Sequence, residues 1–286
     1  MKKLMFVMAL AISMVALSVQ CKNPYNKQRR NTEEKTVPVP TFDKIKIMSN
    51  VKVNYTQGAK HSVKIIAAQK DLDKVKVKVK DNTLQIYAET SKKHIGGVSF
   101  CTATLYHQVV VNVTSPQLSG VKCDGVGDFV AMTDIKSPAS LDFSINGSGD
   151  ISLKNVTADN VSLGIAGSGD ISVQQVKAKK LTAGVAGSGD IDIDKVDEPC
   201  SKALFSIAGS GDIDAMFSGC DMLECLLAGS GDIKVSGHVT DFKSHVKGSG
   251  SVDRNGLEVS GNRTEINNRS SSQKKQQSVN NINAQP

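Results

Sequence analysis

The chain has 286 residues, no tryptophan and only 4% aromatic residues, which excludes a wide globular core built from large aromatic side chains. Its net charge of +7 is unevenly distributed: residues 125–251 hold 17 acidic and 10 basic residues, a net of −7, and the remainder carries +14. The basic residues form no stripe with interleaved aromatics, so no nucleic-acid partner is expected.

The first twenty residues have the pattern of a secretory signal peptide. Lys2 and Lys3 precede an uncharged apolar run at 4–19, which is shorter than the ~20 residues of a membrane span. Cys21 follows directly, where a bacterial lipoprotein carries its lipid-modified cysteine. A small residue usually precedes that cysteine and Gln20 stands there instead, so plain signal cleavage is the alternative. The leader predicts an exported cell-envelope protein, anchored through Cys21 to the outer membrane.

Four segments follow the signal peptide at 1–20. Residues 21–40 are polar and carry three prolines, which predicts a flexible tether behind the lipid anchor. Residues 41–122 alternate apolar and polar side chains in short runs, which predicts a β-rich N-terminal cap. Residues 123–261 contain the repeats described next, and residues 262–286, rich in Asn, Gln and Ser, are predicted to be a disordered tail.

The repeats share the sequence GSGDI. Copies begin at residues 147, 167, 187, 209 and 229, looser copies begin at 125 and 248, and the intervals are 19 to 22 residues. Such self-similarity indicates stacked repeats, and the alternation of apolar and polar residues within each unit indicates strands. The units are too rich in glycine for a helix pair and too short for a propeller blade. The sequence predicts an all-β parallel solenoid whose ~20-residue coils stack about 4.8 Å apart.

The repeated turn also places one aspartate in each coil. Glycine suits a sharp corner because it tolerates positive φ and close backbone approach. Stacked carboxylates about 5 Å apart repel each other by up to about 1 kcal/mol in water, so something must offset the repulsion. We expect each carboxylate to accept backbone N–H groups of its own turn; a row of Ca²⁺ ions is the alternative. The column comprises Asp128, Asp150, Asp170, Asp190, Asp212 and Asp232.

The cysteines add a test of the register. Cys200 and Cys220 occupy the same position in adjacent coils, and the spacing of stacked strands falls within the ~4.4–6.8 Å range of Cα separations in disulfides. Cys225 falls at the inward position of Leu163, which predicts a buried thiol. The sequence has no C-x-x-C pair and no histidines at the spacing of metal ligands, so no metal or cofactor is predicted. No histidine or lysine recurs beside the repeated serines to act as a base, so no catalytic residue is predicted.

Several segments together resemble a known bacterial family. They are FDKIKIMSNVKVNYTQG, KVKVKVKDNTLQIYA and VNVTSPQLSGVKCDGVGDF, followed by the serial GSGDI turns. The chain is similar over roughly residues 41–255 to the putative auto-transporter adhesin, head GIN domain family. The resemblance implies a right-handed parallel β-helix on an exported, often lipid-anchored protein, and it brings no catalytic residues.

These features favour a non-catalytic envelope protein that presents a long, regular acidic face to a surface glycan or another surface protein. Two alternatives stay open. A polysaccharide-acting β-helix enzyme would need a carboxylate pair in a groove, for which Asp192 and Asp214, with Asp194 nearby, are the candidates. A purely structural envelope protein would need no soluble ligand.

Overall fold

The computed structural model describes residues 32–89, 91–95, 98–102, 105 and 108–268, which contain twenty-four strands and one short helix, α1 (Gln69–Leu72). The strands of the N-terminal region are β1 Thr32–Val37, β2 Lys44–Ile47, β3 Lys52–Gln57, β4 Ser62–Ala68, β5 Val75–Lys80, β6 Thr83–Ala88, β7 Ser91–Ile95, β8 Val98–Thr102 and β9 Val110–Ser115.

The strands of the repeat region follow. They are β10 Gly120–Gly125, β11 Asp128–Ala131, β12 Ile135–Lys136, β13 Ser140–Gly147, β14 Ile151–Gly167, β15 Ile171–Gly187, β16 Ile191–Asp197, β17 Lys202–Gly209, β18 Ile213–Phe217, β19 Met222–Gly229, β20 Asp232–Val239, β21 Asp241–Gly248, β22 Ser251–Asp253, β23 Leu257–Val259 and β24 Arg263–Asn268.

The repeat strands stack as a parallel β-solenoid in the predicted register. Ile151 pairs with Ile171, and Ile171 with Ile191, at a step of twenty residues. Ile191 then pairs with Ile213, because the two-residue insertion lengthens that coil without shifting the strands that follow. Residues at equivalent positions of the repeat are therefore neighbours in the stack, as the period predicts.

Each coil has three sides. Between β14 and β15 the strand pairing covers residues 151–153, 155–158 and 160–167 and is interrupted at 154 and 159. At the same points the alternation of buried and exposed side chains breaks, since 154–155 and 159–160 are each a pair of residues that are not buried. The chain therefore turns there and again at GSGD. We call the three sides of this coil, and their equivalents in other coils, the first, second and third sides.

Inward residues of successive coils form the hydrophobic core. On the third side, Leu163, Ala183 and Phe205 stack in register, and all three are buried. Large and small side chains alternate in this column, which lets them fill the space between strands. The buried apolar residues extend from Phe42 to Leu257, so a chain that starts at residue 22 retains the whole core.

The N-terminal region is rich in β-strands, which pair with the first strands of the repeat region. Strand β2 lies parallel between β6 and β10, and β3 lies parallel between β9 and β11. Strands β5 and β4 then pair antiparallel with β6 and β9 and end the parallel stacking. Because β2 and β3 stack in register on β10 and β11, coil-like stacking begins near residue 44 and not at 123.

Two segment boundaries differ from the sequence expectation. Within the expected tether, Thr32–Val37 forms β1, which pairs with β4 and is held by Lys64–Glu34 and Lys35–Asp73 ion pairs of 2.8 and 3.3 Å. Within the expected tail, Arg263–Asn268 forms β24, which pairs with β21. Both segments add to strands that offer unpaired backbone groups, and their composition alone does not reveal this.

The leader, Cys21 and residues 269–286 lie outside the described residues. In the part of the chain that the structure does describe, no helix is both long and apolar enough to cross a membrane.

Candidate functional site

The aspartate column links neighbouring coils by hydrogen bonds. The N–H of Asp190 donates to Oδ1 of Asp170 at 2.9 Å, and the same bond recurs at every step from Asp128 to Ser251, at 2.7 to 3.2 Å. The expectation that each carboxylate serves its own turn is therefore wrong, because the donor lies one coil further along. A hydrogen bond between a charged acceptor and an N–H offsets the repulsion between stacked carboxylates.

The two glycines of the turn are required by how closely the corners stack. Gly167 has a φ of +149°, and a Cβ built on it would overlap the Gly147 carbonyl oxygen and lie 2.9 Å from the carbonyl carbon. A Cβ on Gly169 would overlap the backbone of Gly149 in the same way. The N–H of Ser168 uses this close approach to donate to the Gly147 carbonyl at 2.8 Å.

One oxygen of each carboxylate in the column, Oδ1, thus accepts a backbone N–H. Within residues 32–268 as described, no group of three or more His, Cys, Asp or Glu side chains is arranged to hold a metal ion.

The first side of the solenoid does not carry a continuous acidic face. Its outward column runs Ser152, Ser172, Asp192, Asp214 and Lys234 in register. The next residue in register is Asp253, so the carboxylates of this column are Asp192, Asp214 and Asp253, interrupted by Lys234. Burial raises the pKa of Asp192, and the neighbouring carboxylates, Asp214 foremost, raise it further. The long acidic row of the structure is therefore the aspartate column at the corner, and the outward column beside it is acidic only in part.

The third side carries a groove that the sequence reasoning missed. Its cavity volume is about 720 Å³, and it is lined by outward-facing residues of successive coils. One column of the lining is Ser144, Gly164, Gly184, Ser206 and the larger Leu226, and the next is Asn146, Ala166, Ala186, Ala208 and Ala228. In the sequence, this groove corresponds to the segments GIAG, GVAG and SIAG, which precede successive corners. The first and third residues of each segment are small and face outward.

The groove is long, uncharged along its middle and basic at its ends. Lys122 lies at one end and His245 and Lys247 at the other. Lys122 and His245 are six coil steps apart in register, a span of about 29 Å. A Cβ on Gly164 would meet nothing within 4 Å, so the small residues leave open space above the sheet. None of the described residues that line the groove is a carboxylate.

The cysteines of the repeat region are either joined in a disulfide or buried in the core. Cys200 and Cys220 are joined by a disulfide with their Cα atoms 4.5 Å apart, at equivalent positions of adjacent coils. Cys225 aligns through Phe205 with the inward column of Leu163 and is buried, as is Cys123. Burial raises the pKa of both free thiols to about 12, so neither supplies a thiolate nucleophile at neutral pH.

These observations define a β-solenoid with one long open groove and no assembled catalytic constellation among the described residues. The model of the putative auto-transporter adhesin, head GIN domain family matches residues 41–219 and 201–285, so the chain belongs to that family. No curated protein matches the chain.

Solved structures share the fold. A putative adhesin from Parabacteroides distasonis is 23% identical with a TM-score of 0.67, and one from Bacteroides fragilis is 23% identical with a TM-score of 0.61; each comparison covers 82% of this chain and 97% of the other. A putative adhesin from Parabacteroides merdae is 19% identical with a TM-score of 0.64, covering 82% of this chain and 96% of the other.

Proposed function

We propose that the protein is an exported lipoprotein of the cell envelope, anchored in the outer membrane through Cys21, whose solenoid binds an extended, uncharged glycan without catalysis. The observation that carries the proposal is the groove on the third side, which repeats the same small side chains on successive coils.

The shape of the groove favours a chain-like ligand. Because it crosses the coils, a polymer lying along it meets the same surface at each step, and a ligand with repeating units suits a surface with a repeating structure. The hydroxyl groups of Ser144 and Ser206 and the amide of Asn146 offer donors and acceptors for sugar hydroxyls. The small side chains at the centre let the ligand approach the sheet closely and over a large area.

The distribution of carboxylates favours binding over hydrolysis. A glycosidase of the usual kind places two carboxyl groups on either side of the scissile bond. Here Asp192 and Asp214 lie on the first side of the coil, whereas the groove occupies the third. The family description, which names an adhesin, also points to a binding protein.

The screen that tests the binding proposal presents residues 22–286 to an array of linear glycans. We expect binding above background to extended uncharged glycans, with no change in their length after prolonged incubation. Absence of binding across the array would contradict the proposal, and cleavage of a bound glycan would support the polysaccharide-acting alternative.

Export and anchoring require a separate test. Cells that express the full chain are labelled with a fatty-acid precursor, and we expect the label on the wild-type protein but not on the Cys21→Ala variant. Equal labelling of the two would contradict the anchor. Protease access to intact cells then reports whether the protein reaches the outer surface.

A further inference from the structure

A second surface, at the N-terminal end of the third side, is rich in lysine. Strands β10, β2, β6 and β5 are adjacent there, and their inward residues, such as Ile45 and Leu84, belong to the core. The opposite, outward positions contain six lysines on three of these strands. We call this set the lysine face: Lys44, Lys46, Lys76, Lys78, Lys80 and Lys122.

The lysine face has fewer carboxylates than lysines. Asp124 pairs with Lys46 at 2.7 Å and with Lys122 at 3.5 Å, and Glu89 pairs with Lys76 at 3.6 Å. Burial raises the pKa of Asp124, but its contacts with Lys46 and Lys122 outweigh that effect and hold the pKa below its ordinary value.

Asp142, on the neighbouring strand β13, also lies near Lys44 and Lys122, but no ion pair joins it to either of them in the described part of the chain. The lysines without an ion pair keep their charge available to a partner. Among the described residues, no ion pair joins Lys44, Lys78 or Lys80 to a carboxylate, and Lys44 and Lys80 are exposed. The ammonium group of Lys78 lies 5.0 Å from the centre of the Tyr87 ring, an arrangement that leaves its positive charge in place.

Protection of a strand edge explains only half of this pattern. Lysines on an edge strand hinder pairing with other chains, and β5, with Lys76, Lys78 and Lys80, is such a strand. Lys44 and Lys46 lie on β2, which already has a partner on each side, and so does β10 with Lys122. A positive face that extends onto inner strands indicates a role other than edge protection.

The lysine face also lies at the end of the solenoid where the anchor is attached. Strand β1 starts at Thr32, eleven residues after Cys21, and pairs with β4 of the cap. Eleven residues span at most about 40 Å. If Cys21 is lipidated, as proposed above, the cap is therefore held close to the membrane, and this one step of the argument rests on the proposed function.

We propose that the lysine face docks on a membrane surface that contains anionic lipid headgroups. Each lysine near such a surface contributes roughly fivefold in affinity, and the attraction weakens as salt is added. The face would fix the orientation of the solenoid beside the bilayer and leave the distal part of the groove available to its ligand.

The test measures sedimentation of residues 22–286 with vesicles of phosphatidylcholine alone and with vesicles that also contain phosphatidylglycerol. Lys44→Gln, Lys78→Gln and Lys80→Gln are combined in one variant, and we expect its affinity for the anionic vesicles to fall on the order of a hundredfold. Thermal unfolding of the variant reports whether the cap is still folded.

A matched control removes the same charge elsewhere. It combines Lys177→Gln, Lys180→Gln and Lys243→Gln, three exposed lysines of the repeat region. We expect this control to bind anionic vesicles as the wild type does, and neither protein to bind phosphatidylcholine alone.

Three results would overturn the proposal: an equal loss in both variants, which indicates net charge only; no binding of the wild type to anionic vesicles; or binding to a soluble anionic polysaccharide but not to vesicles. The variant Ala186→Phe, which fills the groove, is expected to retain vesicle binding, so failure of the groove proposal is distinguishable from failure of this one.

Discussion

Replacing Gly167 by alanine tests why the turn needs glycine. The new Cβ would overlap the carbonyl oxygen of Gly147. It would also lie 2.9 Å from the carbonyl carbon of Gly147 and 3.0 Å from the Gly147 nitrogen. The two corners must then move apart, which weakens the Ser168 N–H bond to Gly147, now 2.8 Å long. A lost backbone hydrogen bond costs about 1 kcal/mol, and a side chain at a positive φ costs about 1–2 kcal/mol more. With the steric overlap added, we expect Gly167→Ala to lower the free energy of unfolding by about 3–5 kcal/mol.

Gly164 provides a matched control on the same strand. A Cβ there would meet nothing within 4 Å, and its φ lies outside the positive range. Gly164→Ala should be neutral or stabilise by up to about 1 kcal/mol, because alanine restricts the unfolded chain. Urea unfolding of residues 22–286, followed by circular dichroism, measures both variants. Equal stabilities of the two would refute the argument that close stacking of corners selects glycine.

Three further predictions concern single side chains. Asp170→Ala should lower the free energy of unfolding by about 1 kcal/mol, because the Asp190 N–H loses its acceptor, whereas Asp170→Asn should change it little; urea unfolding compares them, and equal losses would count against the carboxylate ladder. Cys123 and Cys225 should react with a thiol reagent at pH 8 only after unfolding, since burial raises their pKa to about 12; rapid labelling of either of these two residues in the native protein would contradict this. The pKa of Asp192 is higher in the folded protein than in the unfolded chain, so its contribution to stability is present below the pKa of the unfolded state and is lost as pH rises through the pKa of the folded state. Asp192→Asn should therefore stabilise the protein at pH 7 and not at pH 3. A stability gain that does not depend on pH would contradict this.

The sequence predicted what depends on the repeat itself. A period of about twenty residues was enough to align Cys225 with the column of Leu163 and to set Cys200 beside Cys220. Such predictions need only a constant register, because stacked strands convert a position in the repeat into a position in space.

What the sequence did not predict depends on contacts between coils or on edges. The backbone N–H that donates to each aspartate belongs to the next coil, and the sequence of one turn does not specify this contact. Strands β1 and β24 are polar and form because neighbouring strands offer unpaired backbone groups, which composition does not report. The groove was missed because small outward residues look unremarkable one coil at a time and form a surface only when aligned.

The most direct test of the account fills the groove and measures binding of the preferred array glycan. Ala186 is exposed at the middle of the groove, and Thr182, four residues earlier on β15, is also exposed but does not line it. We expect Ala186→Phe to abolish binding and Thr182→Phe to leave the dissociation constant unchanged, with both variants as stable as the wild type. Undiminished binding by a folded Ala186→Phe protein would contradict the claim that the aligned small residues of the third side form the binding surface.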